Sequence, residues 1–129
     1  MREKEVSSLG DDEKELIELI QSVGFNAKEA RIILSLWINE EMTTKELKTF
    51  ATLHDSAISL YINRLLKIKV VAYDVRRNHQ NQMVKQYRLS HDLKTILTDQ
   101  VKRKSETVKQ EFDAAKQKAA TSKKESKKW

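Results

Sequence analysis

The stretch TTKELKTFATLHDSAISLYINRLLKIK, residues 43–69, decides the fold of this chain of 129 residues. Thr43 and Glu46 have the spacing of a helix-capping box and stand before a short apolar run at helical spacing. Asp55 is a candidate N-cap for a second helix only a few residues later. We therefore predict two helices joined by a tight turn at residues 52–54. Their apolar positions are Leu47, Phe50 and Ala51, then Ile58, Ile62, Leu65 and Leu66.

Two more helices are predicted upstream of this pair. Acidic residues stand before an apolar pattern of helical period that ends at Gly24, which predicts a first helix. Asn26 and Glu29 have the spacing of a second capping box, and an apolar stripe follows them. We expect this stripe to lie in the core of the domain. Its members are Ala30, Ile33, Leu34, Trp37 and Ile38.

After Lys69 the period of the apolar pattern changes from nearly four residues to two, which is typical of β-strands. The segments VVAYDVRR (70–77) and MVKQYRLS (83–90) alternate in this way and are joined by polar residues. We predict an antiparallel hairpin with a loop longer than two residues, because the tip lacks an Asn-Gly pair. The residues expected to face the helical core are Val71, Tyr73, Val75, Tyr87 and Leu89.

A long helix is predicted after the hairpin, with Ser90 as its cap and His91 as its first residue. At about 1.5 Å per residue, a helix of roughly 28 residues is on the order of 42 Å long, more than a domain of this size can cover. We expect a second copy of the chain to cover the exposed apolar stripe and form a coiled-coil homodimer. The predicted dimerisation residues are Leu93, Leu97, Val101, Val108 and Phe112.

The composition fits a soluble chain with an anionic polymer as its partner. The formal net charge is +6 and 34% of the residues are charged, although such a balance also fits general solubility. The chain has no cysteine and begins without the apolar segment of a secretory signal, so we expect a cytoplasmic protein that does not bind a membrane. The expected fold class is mainly α with a small β-hairpin. The predicted parts are a globular domain at 11–90, a dimerisation helix at 91–120 and a basic, disordered tail at 121–129.

Three stretches resemble archaeal TrmB-like and MarR-like transcriptional regulators. SVGFNAKEARIILSLW (22–37), with its Glu-Ala-Arg triplet, is similar to the opening of TrmB-type regulators. SAISLYINRLLKIKVVAYD (56–74) resembles the recognition helix and first wing strand of both families, and YRLS (87–90) resembles their second wing strand. The resemblance covers about residues 16–93 and implies a winged helix-turn-helix domain that binds double-stranded DNA.

The chain departs from the family pattern at three points. Lys69 stands where a glycine usually follows the recognition helix, and Leu60 stands where an exposed basic residue is frequent. No segment that resembles the effector domain of TrmB-type regulators follows. We therefore expect neither a small-molecule ligand nor a cofactor.

The resemblance and the helical spacing together indicate which residues contact DNA. In the helix at 55–68 the arc opposite the apolar positions offers an amide suited to adenine and a leucine suited to thymine methyl groups. The predicted contacts there are Ser56, Ala57, Ser59, Leu60, Asn63 and Lys67. The wing at 76–82 is expected in the minor groove or on the backbone. Its predicted contacts are Arg76, Arg77, Asn78, His79, Gln80, Asn81 and Lys85. Thr43, Thr44 and Lys45 are predicted phosphate contacts through side chains and backbone amides.

Plainer interpretations of these residues stay open: a solvated helix face, a solvated hairpin loop and a capping box without a ligand. No pair of histidines has the spacing of a metal site, and no glycine-rich phosphate loop is present, so we expect neither a metal nor enzyme activity. The leading hypothesis is a homodimeric, nucleoid-associated transcriptional regulator. The alternatives are an architectural, chromatin-like or partition protein with low sequence specificity, and a winged-helix module that binds protein.

Overall fold

The computed structural model describes residues 13–126, and these form five helices and one two-stranded antiparallel sheet. The predicted class, mainly α with a small β-hairpin and a long C-terminal helix, is confirmed. The start of the predicted domain, at residues 11 and 12, and the last three residues of the predicted tail lie outside the described residues. The elements are α1 (Lys14–Ser22), α2 (Ala27–Asn39), α3 (Thr44–Phe50), α4 (Asp55–Lys67), β1 (Val71–Arg77), β2 (Met83–Leu89) and α5 (Leu93–Ser126).

Both predicted capping boxes are confirmed. The backbone N–H of Glu29 donates to the side chain of Asn26 (2.8 Å), and the N–H of Asn26 donates to the carboxylate of Glu29 (2.9 Å). Thr43 and Glu46 make the same reciprocal pair at the start of α3. Gly24 lies just beyond α1 with a φ of +117°, a conformation that other residues rarely adopt. Local chemistry therefore determines where α2 and α3 begin.

Helix α2 lies at the centre of the core, where it packs against α1, α3, α4 and β2. Ile32, Ile33 and Leu34 of α2 are completely buried. Trp37 and Ile38 lie at the edge of the core and are only partly buried. The other elements contribute one or a few buried side chains each, so α2 supplies the largest share of the core. These side chains include Ile20, Leu47, Phe50, Ile58, Ile62, Leu65, Val71, Tyr87 and Ile96.

Two predicted helix starts are wrong. His54 is the N-cap of α4, and Asp55 is its first residue. Helix α5 begins at Leu93, and the backbone N–H of Ser90 donates to the carbonyl of Val70 (2.9 Å), so Ser90 lies at the end of the hairpin. Asp92 caps α5 by accepting a hydrogen bond from the N–H of Thr95 (3.1 Å). Hydrogen bonds from the side chain and backbone of Thr95 lower the pKa of Asp92.

The hairpin pairs β1 with β2 in a register that runs from Val71 opposite Leu89 to Arg77 opposite Met83. The loop at 78–82 is longer than two residues, as predicted. The expectation that all the alternating apolar residues face the core is wrong for two of them, because Tyr73 is 41% exposed and Val75 is 50% exposed. The distal half of the hairpin therefore projects beyond the core.

Helix α5 is attached to the domain only by its first turns. Leu93 and Ile96 are buried, whereas residues 101–120 are exposed throughout. The guanidinium of Arg103 donates to the carbonyl of Ile68 (3.1 Å) and adds one polar contact to the domain. The helical backbone continues to Ser126, beyond the predicted end at residue 120. Among the described residues, no helix is both long enough and apolar enough to cross a membrane.

Candidate nucleic-acid interface

The turn between α3 and α4 is held from behind by Arg31 of α2. Its Nε donates to the carbonyl of Ala51 (2.8 Å), and its terminal nitrogen donates to the hydroxyl of Thr52. Thr52 has a φ of +54°, and the buried side chain of Leu53 anchors the turn in the core. These contacts fix α4 relative to α3. The arginine of the Glu-Ala-Arg triplet therefore has a structural role that the sequence pattern does not reveal.

Helix α4 exposes a polar arc on the side opposite its buried residues. Ile58, Ile62 and Leu65 are at most 2% exposed, so the other side of the helix faces solvent. The predicted contacts on this arc are exposed, and the side chain of Leu60 is 63% exposed. Ala57 is half-buried at the edge of the arc. The exposed members are Ser56, Ser59, Leu60, Asn63 and Lys67.

The end of α4 keeps its usual shape although Lys69 replaces a glycine. Lys69 has a φ of +65°, its N–H donates to the carbonyl of Leu66 (3.1 Å), and the N–H of Val70 donates to that of Leu65 (3.0 Å). This pair of bonds is the Schellman ending that glycine favours. Lys69 therefore takes a left-handed conformation that glycine adopts more easily, and the two Schellman bonds still form.

The tip of the hairpin is organised around Asn78. Its side-chain oxygen accepts hydrogen bonds from the backbone N–H groups of Gln80 (3.0 Å) and Gln82 (2.9 Å), and its own N–H donates to the carbonyl of Gln82 (2.9 Å). Arg77 donates to the side-chain oxygen of Asn81 (3.0 Å). Asn78 therefore shapes the loop, and the cationic group of Arg77 has a neutral partner.

An open cleft of about 790 Å³ separates the hairpin from the start of α3. Two groups of residues that were predicted separately line this cleft. One is the predicted phosphate contacts at the start of α3, and the other is the predicted DNA contacts of the hairpin. Lys45, Arg77 and Lys85 make its lining positive, while Glu46, which is occupied in the capping box, is the acid in the lining. The lining from the two predicted groups is Thr43, Thr44, Lys45, Arg77, Asn78, His79, Gln80 and Lys85.

Three solved structures share this arrangement of helices and hairpin. A possible transcriptional regulator from Methanosarcina mazei Go1 superposes with a TM-score of 0.53 at 14% identity, over 78% of this chain and 86% of that one. NadR in complex with 4-hydroxyphenylacetate gives a TM-score of 0.53 at 14% identity, over 81% and 75%. Transcriptional regulator PA4135 gives 0.51 at 13% identity, over 81% of both chains. No protein-family model and no curated protein matches the sequence.

At 13–14% identity these similarities establish the fold alone. The chain has the winged helix-turn-helix fold. The resemblance noted at residues 22–37 and 56–74 is thereby confirmed at the level of the fold, while its archaeal TrmB-type detail stays a prediction. The hairpin is the wing of this fold, and α4 occupies the position of its recognition helix.

The two arginines of the wing have different surroundings. Arg76 makes two hydrogen bonds to the carboxylate of Glu41 (both 3.0 Å) and lies 3.9 Å from Asp74, which also pairs with Arg88 (3.2 Å). Arg77 lies in the cleft instead. Because acids already compensate the charge of Arg76, Arg77 is the stronger candidate for a phosphate contact. Sequence reasoning gave the two arginines the same role.

The remaining predicted residues divide by position. Lys85 lies in the cleft with its ammonium 4.7 Å from the centre of the Tyr73 ring. Asn81 is an exposed residue of the tip with a φ of +60°.

Of the predicted dimerisation residues, Leu93 is buried and Leu97 is partly buried in the domain. Val101, Val108 and Phe112 are 51%, 55% and 62% exposed.

Sequence reasoning missed three structural contacts near the interface. Met42 forms a β-bridge with Tyr87, with N–H to carbonyl distances of 3.0 and 2.7 Å, and this bridge attaches the loop before α3 to the wing. Glu29 is 1% exposed and lies 3.1 Å from Nε of Arg64 on α4. Glu41 binds Arg76. The residues of each contact are far apart in sequence, so no local pattern indicates them.

Among the described residues, no group of three or more histidines and acids is arranged to hold a metal ion.

Proposed function

We propose that this protein is a homodimeric transcriptional regulator that binds double-stranded DNA. Helix α4 lies in the major groove, and the wing, residues 76–82, lies on the flanking minor groove or backbone. The observation that carries the proposal is the basic cleft, in which Lys45, Arg77 and Lys85 lie between α3 and the wing beside the helix-turn-helix pair. Such a protein works in the cytoplasm in association with the nucleoid, and it needs neither a cofactor nor catalysis.

The packing of α3 supports this function. Helix α3 contacts both α4 and β2, so it connects the cleft to the recognition helix. Cations at the cleft attract the phosphate backbone and fix the orientation of the protein, while a neighbouring helix reads base edges. The backbone N–H of Thr43 is occupied by Glu46 (2.8 Å), so the phosphate contacts we propose at this corner come from Thr44 and Lys45.

The dimer is proposed to form through α5. Val101, Val108 and Phe112 follow one another at intervals of seven and four residues, which places them on one stripe, and all three are exposed. A helix of 34 residues is about 51 Å long, so its distal half extends well beyond the domain. Two copies joined in this way read a pseudo-palindromic site whose half-sites are about 34 Å apart or a multiple of that distance.

A second candidate function is an architectural or partition protein that binds DNA with little sequence preference. The observation that favours it is the exposed arc of α4, which carries no Arg or Lys from Ser56 to Asn63. Arg or Lys bound to guanine is the commonest specific contact in the major groove. A third candidate is a module that binds another protein through the exposed stripe of α5.

Binding to duplex DNA over a series of salt concentrations tests these candidates. For a regulator we expect tight binding to duplexes selected from a random pool, weaker binding to random duplexes, and affinity for both that falls steeply with salt. Equal affinity for selected and random duplexes would favour the architectural candidate. The absence of binding at low salt would exclude both DNA-binding candidates and leave the protein-binding module.

A further inference from the structure

We infer that the recognition helix selects A·T base pairs, with Leu60 packing on thymine methyl groups and Asn63 pairing with adenine. The inference rests on the proposed DNA-binding function and adds the class of duplex to it. The residues concerned lie on the exposed arc of α4, and the preference depends on whether the cations of α4, Arg64 and Lys67, contact a base.

Four of the six exposed residues at positions 56–67 of α4 form a single stripe, with Ser59 and Arg64 on either side of it. Ser56, Leu60, Asn63 and Lys67 follow one another at intervals of four, three and four residues, so they lie within an arc of about 60° on the helix surface. Leu60 and Asn63 are at the middle of this stripe. Leu60 is 63% exposed, so removing its apolar side chain from water in the complex lowers the free energy.

Arg64 lies beside this stripe, and although its side chain is 62% exposed it pairs with a buried acid. Nε of Arg64 lies 3.1 Å from Oε2 of Glu29, whose side chain is 2% exposed. Oε2 accepts no hydrogen bond, so its interaction with Arg64 is an ion pair without a hydrogen bond. If Arg64 turned towards a guanine, it would leave a buried carboxylate without its cation, which is costly. Reading guanine with Arg64 therefore carries a free-energy cost that Leu60 and Asn63 do not carry.

The other cation, Lys67, is at the wrong end of the helix. It is the last residue of α4, one turn beyond Asn63, so it lies farther than Asn63 from the N-terminal end with which recognition helices contact base edges. A lysine at the C-terminal end reaches the phosphate backbone instead. Leu60 and Asn63 are thus better placed to contact bases than either cation of α4.

The chemistry of the stripe matches an A·T pair. The thymine C5-methyl is the apolar group of the major groove, and Leu60 offers an apolar surface to it. The side-chain amide of Asn63 has a donor and an acceptor, which complement N7 and the N6 amino group of adenine. Ser56 and Ser59 donate or accept according to their surroundings and do not change this preference.

The inference is tested with the full chain and duplexes selected from a random pool. In one set of duplexes deoxyuridine replaces thymine and removes only the methyl group, and in another 7-deazaadenine removes the N7 acceptor. Loss of a contacted methyl should weaken binding about fourfold, and loss of N7 about fivefold or more. Leu60→Ala should bind thymine and deoxyuridine duplexes equally, and Asn63→Ala should be insensitive to 7-deazaadenine.

Leu19→Ala is the matched control, because Leu19 is an exposed leucine of α1, on another element, and is 50% exposed. This variant should discriminate the modified duplexes as the wild type does. Selected sites with G·C at the contacted positions, or Leu60→Ala that still detects the methyl group, would overturn the inference and leave DNA binding intact. Failure to bind any duplex at low salt would overturn the proposed function itself.

Discussion

Arg76 and Arg77 are neighbours in the sequence, yet their side chains leave β1 on opposite faces, as the period of a strand requires. The face of Arg76 also carries Asp74, and Glu41 approaches it from the loop before α3. The face of Arg77 borders the cleft. The two adjacent arginines therefore have different surroundings: Arg76 pairs with acids beside the domain, and Arg77 borders the basic cleft.

We predict that Arg77→Ala weakens binding to all duplexes and lowers the slope of log affinity against log salt by about 0.9, because one phosphate contact is lost. Arg76→Ala is the matched control, since it removes the same charge from the next residue and should leave the slope nearly unchanged. Fluorescence anisotropy over a salt series measures both slopes. Equal losses in the two variants would mean that Arg76 leaves Glu41 when DNA binds, contrary to the assignment.

The Glu-Ala-Arg triplet at residues 29–31 shows what a resemblance conveys at this scale and what it omits. The pattern indicated correctly that a helix starts here, since Glu29 completes the capping box. It did not indicate that Glu29 pairs with Arg64, or that Arg31 binds the turn after α3. Contacts between residues 20 or more positions apart depend on how helices pack, so a short stretch of sequence cannot specify them.

At the scale of elements, the sequence predicted correctly those features that are determined locally. The two capping boxes at Asn26 and Thr43 were correct because cap and partner lie three residues apart. The start of α5 was wrong, since Asp92 and not Ser90 caps the helix, and the N–H of Ser90 pairs with the distant Val70 at the end of the hairpin. Period-two alternation revealed both strands, but it did not show that Tyr73 and Val75 lie beyond the edge of the core.

We predict that Val108→Glu combined with Phe112→Glu converts the proposed dimer into monomers, because two charges would replace apolar residues of the α5 stripe. Sedimentation equilibrium measures the change. The control is Gln110→Glu combined with Ala114→Glu, which adds the same charge to another face of the same exposed helix and should stay dimeric. A dimer that persists in the first variant would place the interface elsewhere, for example on α1 or the wing.

At the scale of the whole molecule, the order of elements could be read from the sequence, but the cleft could not. The cleft depends on the bridge between Met42 and Tyr87, which brings the start of α3 beside the wing although 45 residues of sequence separate them. The sequence therefore predicted the cleft residues in two unrelated groups. Long-range pairing joined these groups into one basic surface and separated Arg76 from it.

The most direct test of the account is an NMR titration of the nitrogen-15-labelled chain with a selected duplex. We predict that the amide signals of Thr44, Lys45, Asn63 and Arg77 shift or broaden together as DNA is added, while those around Gln110 on the exposed part of α5 do not. Changes confined to α5, with the signals of α3, α4 and the wing unaltered, would contradict the claim that α4 and the basic cleft form the DNA-binding surface.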